Sequence, residues 1–197
     1  PSPYLKGYMD EFLANDKFIP MTHTTRGCPY ECTFCDKGSF MWSKITKLDS
    51  PELFEKEIHY IAQNTRCKML ALTDDNFGLL PRDIELAKIL RNSYEKFDYP
   101  YEITGTTNKN FSETTAKCIE ILKGILPVTV SVQSMDPEVL KNIKRTNLPL
   151  EMLVKYAKEG AGMGASSRSE TILCLPGDSK EKHIQGILKL IDAKITF

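Results

Sequence analysis

Three cysteines stand within eight residues, in the stretch Arg26-Gly27-Cys28-Pro29-Tyr30-Glu31-Cys32-Thr33-Phe34-Cys35. The spacing is C-x3-C-x2-C. Three thiolates on one short loop can each hold one iron of a cubane cluster. A cubane has four iron corners, so three cysteines leave one iron open. An open position is what lets a metal centre bind a substrate directly. A structural zinc site is the competing reading of the same residues. It needs a fourth ligand, and His23 is the nearest candidate. Zinc sites usually arrive as two paired clusters, however, and no second pair is present.

The chain holds six cysteines, an even number that also suits disulfides in a small secreted protein. Ample apolar residues and the lack of a secretion signal weigh against that reading. Cys67, Cys118 and Cys174 are scattered, and they read as plain buried thiols.

The elements that must position the loop alternate along the chain. Ile19 to Thr25 reads as strand 1 and runs straight into the cysteines. Ser50-Pro51-Glu52 opens a helix with Ser as N-cap and Pro in the first turn. Leu53, Phe54, Ile58 and Ile61 continue it at helical spacing to about Gln63. Lys68 to Leu72 is strand 2, and Pro81 begins the next helix. Tyr101 to Thr107 is strand 3. Ser112-Glu113 starts a helix that ends near Gly124, a residue suited to a C-terminal cap. Pro127 to Gln133 is strand 4, and Asp136-Pro137-Glu138 caps a short helix. Leu150 to Glu159 is another helix. Thr171 to Leu175 is strand 5, Ser179 caps a helix to about Asp192, and Lys194 to Phe197 opens strand 6.

Strand and helix alternating in this way predict an α/β fold: a parallel sheet flanked by helices, open or curled into a barrel. Its crossovers are expected to be right-handed. Sites in such folds lie at the carboxyl ends of the strands. The residues after each strand are therefore the informative ones.

Bulk composition is that of a folded globular domain. Hydrophobic residues make up 41% and charged residues 26% of 197 residues. Lys plus Arg and Asp plus Glu number 26 each, so there is no basic footprint of a nucleic-acid binder. No run of 18 apolar residues and no signal peptide appear, which leaves a cytoplasmic location as the default and gives no sign of a membrane. The chain starts at Pro1 without an initiator Met and stops at Phe197 inside an expected strand. Residues 1–197 are accordingly expected to be one core domain of a longer protein.

The segment Arg26 to Cys35, with Phe34 at the aromatic position before the last cysteine, resembles the signature of the radical S-adenosylmethionine (SAM) superfamily, and the resemblance implies that Phe34 contacts the cofactor. Pro1-Ser2-Pro3-Tyr4-Leu5-Lys6-Gly7 together with Arg26-Gly27-Cys28-Pro29-Tyr30 resembles the subgroup whose members often carry a cobalamin-binding domain ahead of the radical domain. The resemblance covers essentially the whole chain. It implies a partial (β/α)6 TIM-like barrel, here ending at the start of strand 6. It also implies a [4Fe–4S] cluster on Cys28, Cys32 and Cys35, with SAM chelating the open iron through its amino and carboxylate groups. The activity implied is reductive cleavage of SAM to a 5′-deoxyadenosyl radical, or methyl transfer assisted by cobalamin. An electron donor such as a flavodoxin or ferredoxin goes with it. The substrate would be selected by parts beyond the core barrel.

The resemblance also assigns residues after the strands. Asp74, Asp75 and Asn76 follow strand 2, where the family holds the methionine amino group, often with a Gly-Gly-Glu sequence that is missing here. A helix cap or turn is the alternative for them. Gln133 and Ser134 resemble the family's Gln-Ser pair near the cofactor, and Leu140 and Arg145 fit the same pattern. The alternatives are a turn for Ser134 and a solvated charge for Arg145. Arg168 and Glu170, around strand 5, are matched to the two ends of the cofactor, with a mutual ion pair as the alternative. Cys174 and Asp178 stand where the family commonly has Gly and Glu. Phe40, Met41 and Trp42 are expected either to shield a cluster or to make ordinary apolar contacts.

Overall fold

A computed structural model of the chain describes residues 2–110, 112–129, 131–152, 154–155 and 167–193. They divide into two compact units. The first comprises Pro1–Arg26, Lys47–Asn108 and Ser112–Leu126; the second comprises Gly27–Thr46, Lys109–Phe111 and Pro127–Phe197.

The first unit is built on three parallel strands. β1 (Met21–Thr22), β2 (Met69–Phe77) and β3 (Glu102–Thr107) form a sheet in the order β1-β2-β3. Leu70 pairs with Ile103 and Leu72 with Gly105. Leu70, Leu72 and Ile103 are buried, as expected for a strand covered by helices. β2 runs past the expected end at Leu72, but the ladder breaks between Leu72 and Phe77. Asp74, Asp75 and Asn76 therefore lie in an irregular stretch of the strand rather than after it. Strand 1 is shorter than expected, because the ladder with β2 covers only Met21 and Thr22.

Three helices pack in succession in this unit: α1 (Pro51–Asn64), α2 (Asp83–Phe97) and α3 (Glu113–Ile121). Ser50 Oγ accepts from the Leu53 N–H and Ser112 Oγ from the Thr115 N–H, the two caps their sequences announce. α2 begins at Asp83 rather than Pro81, because a turn from Leu80 to Asp83 comes first. Arg91 closes the far end of α3, donating to the carbonyls of Ile121 and Lys123 at 2.7 Å each.

The second unit carries the cysteine loop and two more parallel strands. β4 (Val128–Thr129) pairs with β5 (Ser167–Arg168), and an isolated bridge joins Gln133 to Thr171. This corrects the expected strand 5 at Thr171 to Leu175. Past Thr171 the backbone turns instead of pairing: Cys174 has φ 59°, and the Asp178 N–H returns to the Leu175 carbonyl at 2.9 Å. Pro176, with no N–H, cannot extend a ladder.

α4 (Pro137–Asn142) is capped by Asp136, whose carboxylate accepts from Glu138 and Val139 N–H at 3.0 Å each. Residues 150–152 and 154–155 are helical. α5 (Lys180–Asp192) follows the Ser179 cap. The expected end of the helix from Leu150, the glycines after it and the opening of strand 6 fall outside the described residues. Val132 and Leu190 form one apolar cluster; Val139, Ile143 and Leu175 form another, against which Phe34 packs.

Gly186 lies inside α5. A Cβ there would meet Met135 alone, at 3.4 Å from its Cβ, 3.7 Å from its backbone nitrogen and 3.9 Å from its Cγ, all ordinary contacts. Gly186→Ala is expected to stabilise the protein by about 0.4–1 kcal/mol, through reduced freedom of the unfolded chain. The midpoint of urea unfolding checks this; a lower midpoint would mean that Met135 has no room to give.

Candidate metal centre

The cysteine loop is fixed by its own backbone. Gly27 sits at φ 101°, and a Cβ on it would lie 2.3 Å from the Lys44 carbonyl oxygen. Only glycine fits such a close approach at positive φ. The Cys28 N–H donates to the Trp42 carbonyl at 2.8 Å. Cys35 N–H returns to the Cys32 carbonyl at 3.2 Å, and Gly38 N–H to the Cys35 carbonyl at 3.0 Å. Two short 3-10 turns follow, Asp36–Gly38 and Phe40–Trp42. Across the loop, Thr33 N–H donates to the Ile143 carbonyl at 3.2 Å. Phe34, matched to a cofactor contact, thus serves as an apolar anchor of the loop on α4 and its neighbours.

None of the six cysteines is in a disulfide, so no disulfide competes for Cys28, Cys32 or Cys35. Cys32 is buried, and two cations face its sulfur: Lys109 Nζ at 3.7 Å and Arg145 Nη1 at 3.9 Å. Arg145 is held in place by a second donation, from Nη2 to the Ser131 carbonyl. It is therefore not the solvated helix charge that was the alternative for it. Lys109 Nζ also sits 4.0 Å from the centroid of the Tyr30 ring. Burial pulls the Lys109 ammonium below its ordinary pKa, and the Cys32 sulfur works against that shift. Burial likewise raises the Tyr30 phenol, helped by the neighbouring Cys28.

Three cysteines outside any disulfide on one fixed loop, with cations on the innermost sulfur, fit an anionic iron–thiolate cluster. Among the described residues no three His, Cys, Asp or Glu side chains converge as a ready-made ligand group. Cys35 Sγ donates to Asp36 Oδ1 at 3.7 Å, a contact that ends when the thiol ionises.

His23 is poorly suited to complete a zinc site. Arg26 Nη2 lies 3.1 Å from its Nε2, and because arginine only donates, that nitrogen's lone pair is taken. Of the scattered cysteines, Cys67 and Cys118 are buried as expected, and burial pushes the Cys118 thiol up to about 12. Cys174 is exposed, contrary to expectation, because it sits in the turn that replaces strand 5. Phe40 and Met41 are 93% and 83% exposed and so make neither of the contacts expected of them.

Gln133 is the residue the second unit isolates most clearly. Its backbone is left-handed, at φ 63°, and is held by bonds from its N–H to the Glu170 carbonyl and from the Ile172 N–H to its own carbonyl. Its side chain is buried, and Oε1 has no hydrogen-bond partner among the described residues. Ser134 Oγ accepts from the Asp136 N–H at 3.2 Å, which makes it a turn residue. Glu170 is exposed and accepts from Ser131 Oγ at 2.9 Å, while Arg168 lies in β5. Arg145 and Asn147 line a cavity of about 550 Å3 together with Met135, Leu140 and Leu148.

The three polar residues of β2 belong to the first unit. Asp74 is buried and accepts twice from Thr24, from N–H at 2.9 Å and from Oγ1 at 2.7 Å. Burial raises its carboxyl pKa, and the Thr24 bonds oppose that rise. Asp74 therefore ties β2 to the residues just after β1. The signals that sequence reading lacked are Lys109, two residues after β3, and this Thr24–Asp74 bond.

Residues 22–191 match the Radical SAM superfamily. The chain is 35% identical, over 98% of its length, to the 2-(S-pantetheinyl)-carbapenam-3-carboxylate methyltransferase of Streptantibioticus cattleyicolor. It is 32% identical, again over 98% of its length, to the cobalamin-dependent radical SAM methyltransferase TokK of Streptomyces tokunonensis. It spans 29% of each of these curated relatives. Among solved structures it resembles the radical SAM methyltransferase TsrM from Kitasatospora setae, solved with cobalamin and a [4Fe–4S] cluster. The TM-score there is 0.73 at 16% identity, covering 90% of this chain and 35% of that one, which is a likeness of fold. No helix among the described residues is long and apolar enough to cross a membrane.

Proposed function

The chain belongs to the radical SAM superfamily, and from that premise we propose that it is the core domain of an enzyme that reductively cleaves SAM in cobalamin-assisted methyl transfer. One observation carries the reading: three cysteines outside any disulfide, in C-x3-C-x2-C spacing on one fixed loop, with Lys109 and Arg145 on the Cys32 sulfur. Cys28, Cys32 and Cys35 are the ligands of the [4Fe–4S] cluster, leaving one iron for SAM. The bound cluster supplies a single electron to the sulfonium carbon–sulfur bond, chemistry that no side chain can perform.

The residues of the chain bind and orient. Gln133 offers a buried, unpartnered Oε1 to the ammonium of SAM. Arg145 Nε, buried without a partner among the described residues, offers a donor to a carboxylate. Asp75, Asn76, Ser134, Arg168, Glu170 and Phe34 remain in the proposed cofactor shell on the strength of the family pattern. Asp74 is kept in that shell on the same pattern, with its carboxylate held by Thr24. The proposed setting is cytoplasmic, with a small reducing protein such as a flavodoxin or ferredoxin as electron donor.

The test is anaerobic reconstitution with iron and sulfide, then electron paramagnetic resonance of the reduced protein with and without SAM. A cubane signal that SAM alters, and that Cys32→Ala abolishes, is expected. Tight zinc binding with no iron uptake would sink the reading and leave a structural metal module.

A further inference from the structure

Lys109 is oddly placed for a lysine. Lysines are seldom buried unless paired. This one is half-buried, and among the described residues its ammonium meets no carboxylate. It meets the Cys32 sulfur at 3.7 Å and the face of the Tyr30 ring at 4.0 Å to the centroid. Tyr30 lies between Cys28 and Cys32 on the ligand loop, so platform and target are carried by the same short segment. A cation over a partly desolvated ring is held by roughly 0.5–2 kcal/mol. The second cation on that sulfur, Arg145, is fixed separately by the Ser131 carbonyl.

A one-electron reduction adds one negative charge to a cluster and its thiolates, and takes up no proton. A fixed positive charge on a ligand sulfur favours the more negative, reduced form. Net charge and hydrogen bonds to the sulfurs are among the factors that set the potential of such clusters. We propose that Lys109, seated on the Tyr30 ring, raises the reduction potential of the cluster by placing its ammonium on the Cys32 ligand sulfur. The inference rests on the cluster reading given above. It makes Lys109 a potential-setting residue, not a ligand.

The experiment uses the full-length protein, reconstituted anaerobically, as wild type, Lys109→Met and Lys109→Arg. Iron and sulfide per chain are measured first. A dithionite titration without SAM, followed by electron paramagnetic resonance, then gives the midpoint of each. All three are expected to load iron equally. Lys109→Met is expected to be at least about tenfold harder to reduce, a shift of about 59 mV downward for one electron. Lys109→Arg is expected to keep most of the wild-type potential.

An unchanged midpoint in a fully loaded Lys109→Met overturns the proposal. Equal shifts in the Met and Arg variants also overturn it, since charge would not be the cause. Loss of cluster from Lys109→Met beside a loaded wild type makes the residue structural and does the same. Failure of the wild type to take up iron overturns the cluster reading itself, and the proposal with it.

Discussion

Gly38→Ala is expected to lose cluster uptake, with iron affinity down by about ten- to hundredfold, the usual range when the shell supporting a metal site is disturbed. The cause is steric and local. A Cβ on Gly38 would lie 2.1 Å from the Cys32 carbonyl oxygen and 3.0 Å from the Cys32 carbonyl carbon and nitrogen. Every one of those atoms is backbone, so no side-chain rotation relieves the clash. The Gly38 backbone must move away from the Cys32 carbonyl, which is the acceptor of the Cys35 N–H that sets Cys35 relative to Cys32. Forcing extra atoms into a fitted site costs about 1–3 kcal/mol.

Trp42, the single tryptophan, reports on the event. Its N–H bonds to the Ser39 carbonyl, its carbonyl accepts from Cys28, and Lys37 Nζ lies 4.0 Å from its ring centroid. Opening the loop should change its emission. Iron uptake and fluorescence both at wild-type level in Gly38→Ala would sink the argument. Gly186→Ala, whose Cβ makes only ordinary contacts of 3.4 Å or more with Met135, is the control that keeps iron.

The parts of this fold that sequence makes legible are the local ones. Ser50, Ser112, Asp136 and Ser179 each cap the helix expected of them, because a cap needs only a side chain and an N–H two or three residues away. The cysteine spacing is legible for the same reason. Strand ends are not, because they depend on a partner far along the chain. β2 continues to Phe77 since Phe77 pairs with Thr107 across a break in the ladder. Thr171 to Leu175 reads as a strand by composition, yet its pairing stops at the single Gln133 bridge.

The site divides along the same line. Arg145 was visible as part of a pattern, but its grip on Cys32 spans 113 residues and needs the fold to show it. Lys109 carries no local signal. Its role appears only where its ammonium meets the loop sulfur, 77 residues away. Asp74 was read as a cofactor contact or a turn residue. Its partner, Thr24, is 50 residues distant, a third reading that local chemistry does not suggest.

Asp83→Ala is expected to destabilise the protein by about 2–5 kcal/mol, while Asp83→Asn costs much less. Asp83 is 2% exposed and opens α2. Its Oδ2 accepts from the Gly78 N–H at 2.9 Å and the Leu80 N–H at 3.0 Å. The Gly78 carbonyl, in turn, accepts from Thr115 Oγ1 at 3.0 Å. Alanine leaves two N–H groups unpaired, at about 1–3 kcal/mol each where they are buried. Asparagine keeps an oxygen for both.

The pH dependence separates the variants further. Burial is the main cause that raises the Asp83 carboxyl above its ordinary 3.8, with the Asp74 charge adding to it. A carboxyl raised by folding contributes stability below its unfolded pKa, and that contribution is lost as pH rises through the folded value. Wild type should therefore lose stability relative to Asp83→Asn as pH climbs through that window. Urea unfolding at a series of pH values reads both effects. An Asn variant as unstable as the Ala variant at neutral pH would mean that the buried charge, not the accepting oxygen, holds the turn. The turn also fixes the end of β2 at Phe77, one residue after Asn76, because Asp83 accepts from the Gly78 N–H that follows.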